Sequence, residues 1–178
     1  MQATPTLSFI AKAPNKKDIE TDFALFWQDS IYGEKRDGIL FGECKTYGLF
    51  QKKDFDRMRY LAKSFPGAVL VFSTLRKKLT LKEIKGISGL AKAGRKRWKS
   101  DRPINPVLVL TGNELLSLHG PPYCWEDVGL KNKFNNLAGL ISICDATQQI
   151  YLNLQPWQSE WHEKRMKRQK KLDQKRSG

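Results

Sequence analysis

From Gly38 to Thr46 the chain reads Gly-Ile-Leu-Phe-Gly-Glu-Cys-Lys-Thr, an apolar run that carries an acid and a base two residues apart. Alternate side chains of a strand share a face, so Glu43 and Lys45 project together while Cys44 points to the other side. Packing does not ask for such a pair, because burying charge is costly unless the charges meet each other or a metal ion. A second run, Asp-Phe-Ala-Leu-Phe-Trp from Asp22, precedes it, and the stretch 29–38 between them is polar with Gly33 near its middle. Strands over 21–28 and 39–46, joined by turn chemistry, predict an antiparallel hairpin. A turn centred on Tyr32-Gly33-Glu34 brings Asp22 opposite the Glu43–Lys45 region.

The flanks have their own periods. Met1 to Lys17 holds Pro5 and Pro14 and at most a short strand at Leu7–Ala11. Phe55, Met58, Leu61, Ala62 and Phe65 recur at helical spacing over 51–65, and Pro66-Gly67 ends that helix. The continuous apolar run 68–74 reads as a strand covered on both faces. Thr80-Leu-Lys-Glu83 matches a capping box opening a helix with Leu81, Ile84, Ile87 and Leu90 inward. A further buried strand is expected at Val107–Thr111, and a helix from Phe134 to about Tyr151 carrying Leu137, Ala138, Ile141 and Cys144. Beyond Pro156 a helix from about Gln158 would carry a basic tail against its own charge repulsion. The organisation expected is a leader at 1–17, the end of a preceding domain, then an α/β domain at 18–154 and the basic tail at 155–178.

Strand, strand, helix, strand, helix, strand, with an acid on the first strand of the hairpin and E-x-K on the second, resembles the PD-(D/E)xK nuclease superfamily. The resemblance covers roughly 18–111 in element order, and its motif rests on three residues. It implies a restriction-endonuclease-like core, in which a mixed central sheet is flanked by helices. Residue by residue it implies that Asp22 and Glu43 ligate Mg2+ or Mn2+ and that the backbone carbonyl of Cys44 adds a further ligand. Lys45 would then position the attacking water and stabilise negative charge. Magnesium suits such a site because it takes hard oxygen ligands and keeps several waters. Asp37 competes for the aspartate role through D-x5-E-x-K, but Asp37-Gly38 reads as a turn and Asp22 is favoured. Glu20 shares a strand face with Asp22, as an auxiliary ligand or a solvated charge. Thr21 stands where the family often has proline, and the leader offers no helix bearing a third carboxylate.

Charge points to the partner. The 178 residues carry a formal +14, and the eight Lys and Arg against two acids between His162 and Gly178 supply only +6 of it. A basic body of this kind favours a polyanion, here DNA ahead of RNA. Two clusters are candidate phosphate grips: Lys77 and Lys78 behind Arg76, and Arg95-Lys96-Arg97-Trp98-Lys99, with Trp98 available to stack on a base. Three cysteines without CxxC spacing argue against a disulfide framework or zinc site and fit a reducing, cytoplasmic setting. No apolar run has the length of a membrane span, and His119 and His162 are isolated. The expectation is a Mg2+-dependent nuclease acting on DNA within a larger defence, repair or mobile-element protein. The rival from another class is a nucleic-acid-binding module that kept the fold and lost catalysis.

Overall fold

The computed structural model describes residues 2–11, 18–31, 34–99, 102–117, 121–135 and 139–176. In chain order it forms β1 (Gln2–Ala11), β2 (Ile19–Ile31), β3 (Glu34–Lys45), α1 (Lys52–Ser64), β4 (Val69–Thr74), α2 (Leu81–Gly94) and the short pair β5 (Trp98–Lys99) and β6 (Arg102–Pro103). These are followed by β7 (Val107–Leu110), α3 (Gly112–Leu115), α4 (Tyr123–Asp127), α5 (Lys131–Asn135), α6 (Leu140–Leu152) and α7 (Trp157–Arg176). Five strands make one mixed sheet in the order β1-β2-β3-β4-β7. β1, β2 and β3 are antiparallel, whereas β3, β4 and β7 run parallel. The chain is therefore α/β, with helices on both faces of a mixed sheet.

Strand parity sorts the core into two layers. Phe41, Leu70, Phe72, Val107 and Val109 pack with Phe55, Met58 and Leu61 of α1 and Ile87 and Leu90 of α2. Leu40, Val69, Val71 and Leu108 point the other way, to Cys144 of α6 and Trp157 of α7. Both faces of β4 are thus covered, which is why its run is apolar without alternation. Because Phe41 faces α1, so do Glu43 and Lys45, two and four residues on. The free edge of β7 is closed by side chains of α6: Val109 N–H donates to Thr147 Oγ1 at 3.2 Å and Gln148 Nε2 donates to Val107 O at 2.7 Å. Covering the edge in this way blocks pairing with another chain.

Several expectations need correction. The hairpin strands run much further than 21–28 and 39–46, and Asp37-Gly38 lies inside β3 opposite Gln28 and Trp27. Cross-strand packing outweighs the local turn signal there: a Cβ on Gly38 would stand 2.6 Å from the Trp27 ring, so the glycine makes room for the indole. The leader's strand is longer than Leu7–Ala11 and pairs with β2 through nearly its whole length. It tolerates Pro5 because β1 is an edge strand, where a missing N–H is affordable. Leu81, expected inward, is 85% exposed at the first position of α2. Of the helix expected from Phe134, Phe134 itself lies in α5 and α6 begins at Leu140, after Gly139 at φ 81°, and Leu137 and Ala138 lie outside the described residues. The tail helix starts at Trp157, which is buried, so the tail's first turns are docked rather than free.

Candidate active site

The hairpin register decides the site. Phe23 pairs with Gly42, which makes Asp22 and Glu43 the next opposing residues on the α1 face. Two bonds hold the strand ends together there. Thr21 Oγ1 donates to Gly42 O at 2.8 Å, and the Cys44 N–H donates to Asp22 Oδ2 at 2.6 Å. The aspartate is thereby fixed against the backbone of the E-C-K triplet itself. On the opposite face the Phe23 ring covers Gly42, where an added Cβ would lie 1.9 Å from a ring carbon. Glycine is required at this position so that the aromatic can close over the strand.

Glu43 is fully buried. Its Oε2 accepts from Arg57 Nη2 at 2.6 Å and stands 3.7 Å from Lys45 Nζ. The same two cations reach Asp54 Oδ1, at 2.7 Å from Arg57 Nη2 and 3.7 Å from Lys45 Nζ. Asp54 is also fully buried, and its Oδ2 accepts the Gln51 N–H at 2.8 Å. The buried Oε1 of Glu43 has no hydrogen-bond partner among the described residues. Two carboxylates therefore share two cations, with the Asp22 charge close by. Burial, and then the neighbouring Asp22 charge, push Glu43 up from the ordinary 4.5 to about 7, with Asp54 adding to the rise and Arg57 and Lys45 opposing it.

Asp22, Glu43 and Lys45 thus converge as the hairpin register implies. Asp37 does not belong to the site: its backbone lies six residues down β3 from Glu43. Cys44 turns its thiol to the other face, where Ser73 Oγ donates to it at 2.9 Å. Asp54 and Arg57 were missed by sequence reasoning. Asp54 sits three residues after the N-cap, where an acid is expected merely to cap the helix, and it does so as well. The available signal was position: both residues flank the inward stripe Phe55, Met58, Leu61 of the helix directly after E-x-K.

The oxygen set fits a hard divalent cation. An unpartnered buried carboxylate oxygen on Glu43, with Asp22 beside it, is the donor chemistry that magnesium or manganese takes. Among the described residues no group of three or more His, Cys, Asp or Glu side chains forms a metal cage. Magnesium needs none, since one or two carboxylates plus waters and substrate phosphate suffice.

The two basic clusters separate. Lys77 and Lys78 are exposed just beyond the C-terminal end of β4, the same end of the sheet as Lys45. Arg76 is not free to join them, because its guanidinium bonds Glu83 and Lys78 O. α2 then runs back along the sheet, and Arg97 O accepts from the Ile104 N–H just before β7. The 95–99 cluster therefore sits at the opposite end, roughly 15–20 Å away along the strands. Arg95 is only 4% exposed and donates to Gln155 O, Glu160 and Gln148, so it clamps the fold and is unavailable to phosphate. Trp98 is half-buried against the second core layer with Lys164 Nζ 4.8 Å from its ring centre, which rules it out as an open stacking platform. Lys96, Arg97 and Lys99 remain exposed. His119 lies outside the described residues, and His162 is exposed on α7 beside Trp161. Among the described residues no helix is long and apolar enough to cross a membrane. Comparison with family models, with curated proteins and with solved structures yields no match for this chain.

Proposed function

We propose that the chain is a metal-dependent phosphodiester hydrolase acting on nucleic acid, DNA first, with a core of the restriction-endonuclease-like kind. The observation that carries this reading is the meeting of Asp22, Glu43 and Lys45 on one face, with Glu43 Oε1 buried and unpartnered. Asp22 and Glu43 are the residues that would hold Mg2+ or Mn2+, with the Cys44 carbonyl as a further ligand. When bound, the cation lowers the pKa of water and neutralises charge on the phosphate. The protein's own part is positional and electrostatic. The Cys44 N–H orients Asp22. Arg57 ties Glu43 to Asp54 and so locks the carboxylate's angle against α1. The Lys45 ammonium, 23% exposed, is the group placed to meet solvent and substrate, holding a water and countering negative charge as it grows on phosphate oxygens.

Incubating the folded chain with plasmid and single-stranded DNA in Mg2+ or Mn2+ tests this directly. Cleavage that disappears in Glu43→Gln and Lys45→Ala is the expected result, and no cleavage by the folded parent would sink it. One observation favours a second reading, that of a binding module without catalysis. Arg57 already places a positive charge 2.6 Å from Glu43 Oε2, which is how a protein substitutes for a lost cation. Calorimetric titration with Mn2+ separates the two, since only the catalytic reading requires uptake that depends on Asp22 and Glu43.

A further inference from the structure

The C-terminal ends of β3, β4 and β7 open onto three loops that hydrogen bonds join into one continuous rim. Leu75 N–H donates to Thr46 O at 3.1 Å and Phe50 N–H to Glu83 Oε1 at 2.9 Å. Gly112 N–H donates to Arg76 O at 2.9 Å and Asn113 Nδ2 to Lys77 O at 3.1 Å. At Gly112 the approach is so close that a Cβ would stand 2.2 Å from Leu75 O, so glycine is what lets the third loop seat on the second.

This fixed frame displays side chains that a merely solvated rim does not carry. Tyr47 is 71% exposed, Leu49 51% and Leu81 85%, and Lys77 and Lys78 are exposed on the loop that follows β4. Tyr47 stands two residues past Lys45. Exposed apolar side chains on the rim of a charged site mark a place where something binds. The lysines and the +14 balance of the chain select a polyanion over an apolar protein partner. Ammonium groups interleaved with an aromatic ring suit a strand whose phosphates meet the cations and whose unstacked bases meet the ring. A closed duplex hides its base faces and leaves Tyr47 and Leu49 nothing to cover.

We infer that this rim binds single-stranded nucleic acid, with Tyr47 stacking on an unpaired base beside the phosphate at Glu43 and Lys45. Lys77 and Lys78 hold the flanking backbone. The inference deepens the hydrolase reading and rests on it for the path of the strand. Its test uses binding alone: fluorescence anisotropy of the full chain with a labelled single-stranded oligonucleotide and with the matching blunt duplex, both in EDTA. The parent is expected to prefer the single strand. Tyr47→Ala weakens single-strand binding about tenfold or more, the scale of one lost stacking contact, and leaves the duplex within about twofold. Tyr47→Phe keeps the ring and restores the affinity. Lys77→Ala with Lys78→Ala weakens both ligands and lowers the single-strand salt slope by about 1.4. Equal affinity for both ligands, an unchanged Tyr47→Ala, or no nucleic-acid binding by the folded chain would each overturn it. Tyr47-dependent single-strand binding without any cleavage in Mg2+ would uphold this inference while defeating the hydrolase reading, so the two fail separately.

Discussion

Two arginines, Arg95 buried and Arg57 half-buried, anchor opposite ends of the sheet, and they are built for different purposes. Arg95, between α2 and β5, meets one carboxylate, Glu160, together with Gln148 and a backbone carbonyl, and Lys164 shares the same acid at 2.7 Å. Cations outnumber acids there, and the cluster ties α7 and α6 to α2. Arg57, at the other end, faces Glu43 and Asp54 with Lys45 as its only helper among the described residues and Asp22 close by. Among the described residues acids outnumber cations there, and one carboxylate oxygen is left without a partner. At the Arg95 end both oxygens of Glu160 meet a cation, and such a network is a clamp. One that leaves negative charge uncompensated in a buried place spends stability, and that deficit is what a bound cation would relieve.

The sharpest way to break this contrast is to remove charge at each end and ask which property fails. Glu43→Gln or Lys45→Ala should lower metal-dependent cleavage by more than the roughly 10- to 100-fold typical of an outer partner of a metal site, while circular dichroism shows a folded chain. Arg95→Ala should do the reverse, costing about 3 kcal/mol in denaturant unfolding while leaving turnover below the melting range unchanged. If Arg95→Ala abolished cleavage in a folded protein, the two ends would not be separate.

pH sharpens the same comparison. The folded chain holds the Glu43 proton more tightly than the unfolded chain does, since the group is raised from 4.5 to about 7. That stabilising contribution is complete below about pH 4.5 and is lost as pH rises through about 7. Glu43→Gln escapes the loss, so without metal its stability relative to the parent should improve by up to about 3 kcal/mol between pH 4.5 and 8. A flat difference across that range would mean that the carboxylate is not held in this environment. Asp54→Asn acts on the same curve more weakly: removing one acid beside Glu43 shifts the midpoint to lower pH, read from the same unfolding series. The smallest effect is expected at the far end. Lys96→Ala, Arg97→Ala and Lys99→Ala should leave cleavage of a short oligonucleotide unchanged, because a short strand at Lys45 does not reach them, and weaken only long, salt-sensitive binding.

Much of the frame was legible because it follows from local pattern. The apolar runs of β4 and β7, the helical stripe of α1 and the Thr80–Glu83 box each emerge where their periodicity places them. The hairpin register was legible too, since an expected turn centred near Tyr32-Gly33-Glu34 brings Asp22 opposite the Glu43–Lys45 region by counting, and the observed pairing of Phe23 with Gly42 agrees. Asp37-Gly38 misled because a turn dipeptide says nothing of the indole packed across it from the neighbouring strand. Arg95 and Trp98 misled for a related reason. A run of cations shows that charge is present, but solvent exposure depends on what packs over it, and here α7 does.

By itself the sequence determined the alternation that puts Glu43 and Lys45 on one face and the spacing that brings Asp22 to meet them. The first follows from the geometry of one strand and the second from the pairing of two neighbouring strands, so neither needs a distant element. Only the tertiary structure decided that Asp54 and Arg57 complete the group, that Glu43 keeps an unpaired buried oxygen, and that the two basic clusters lie at opposite ends of the sheet. Those depend on how α1 and α2 lie across the strands, a long-range outcome of core packing that no local pattern encodes.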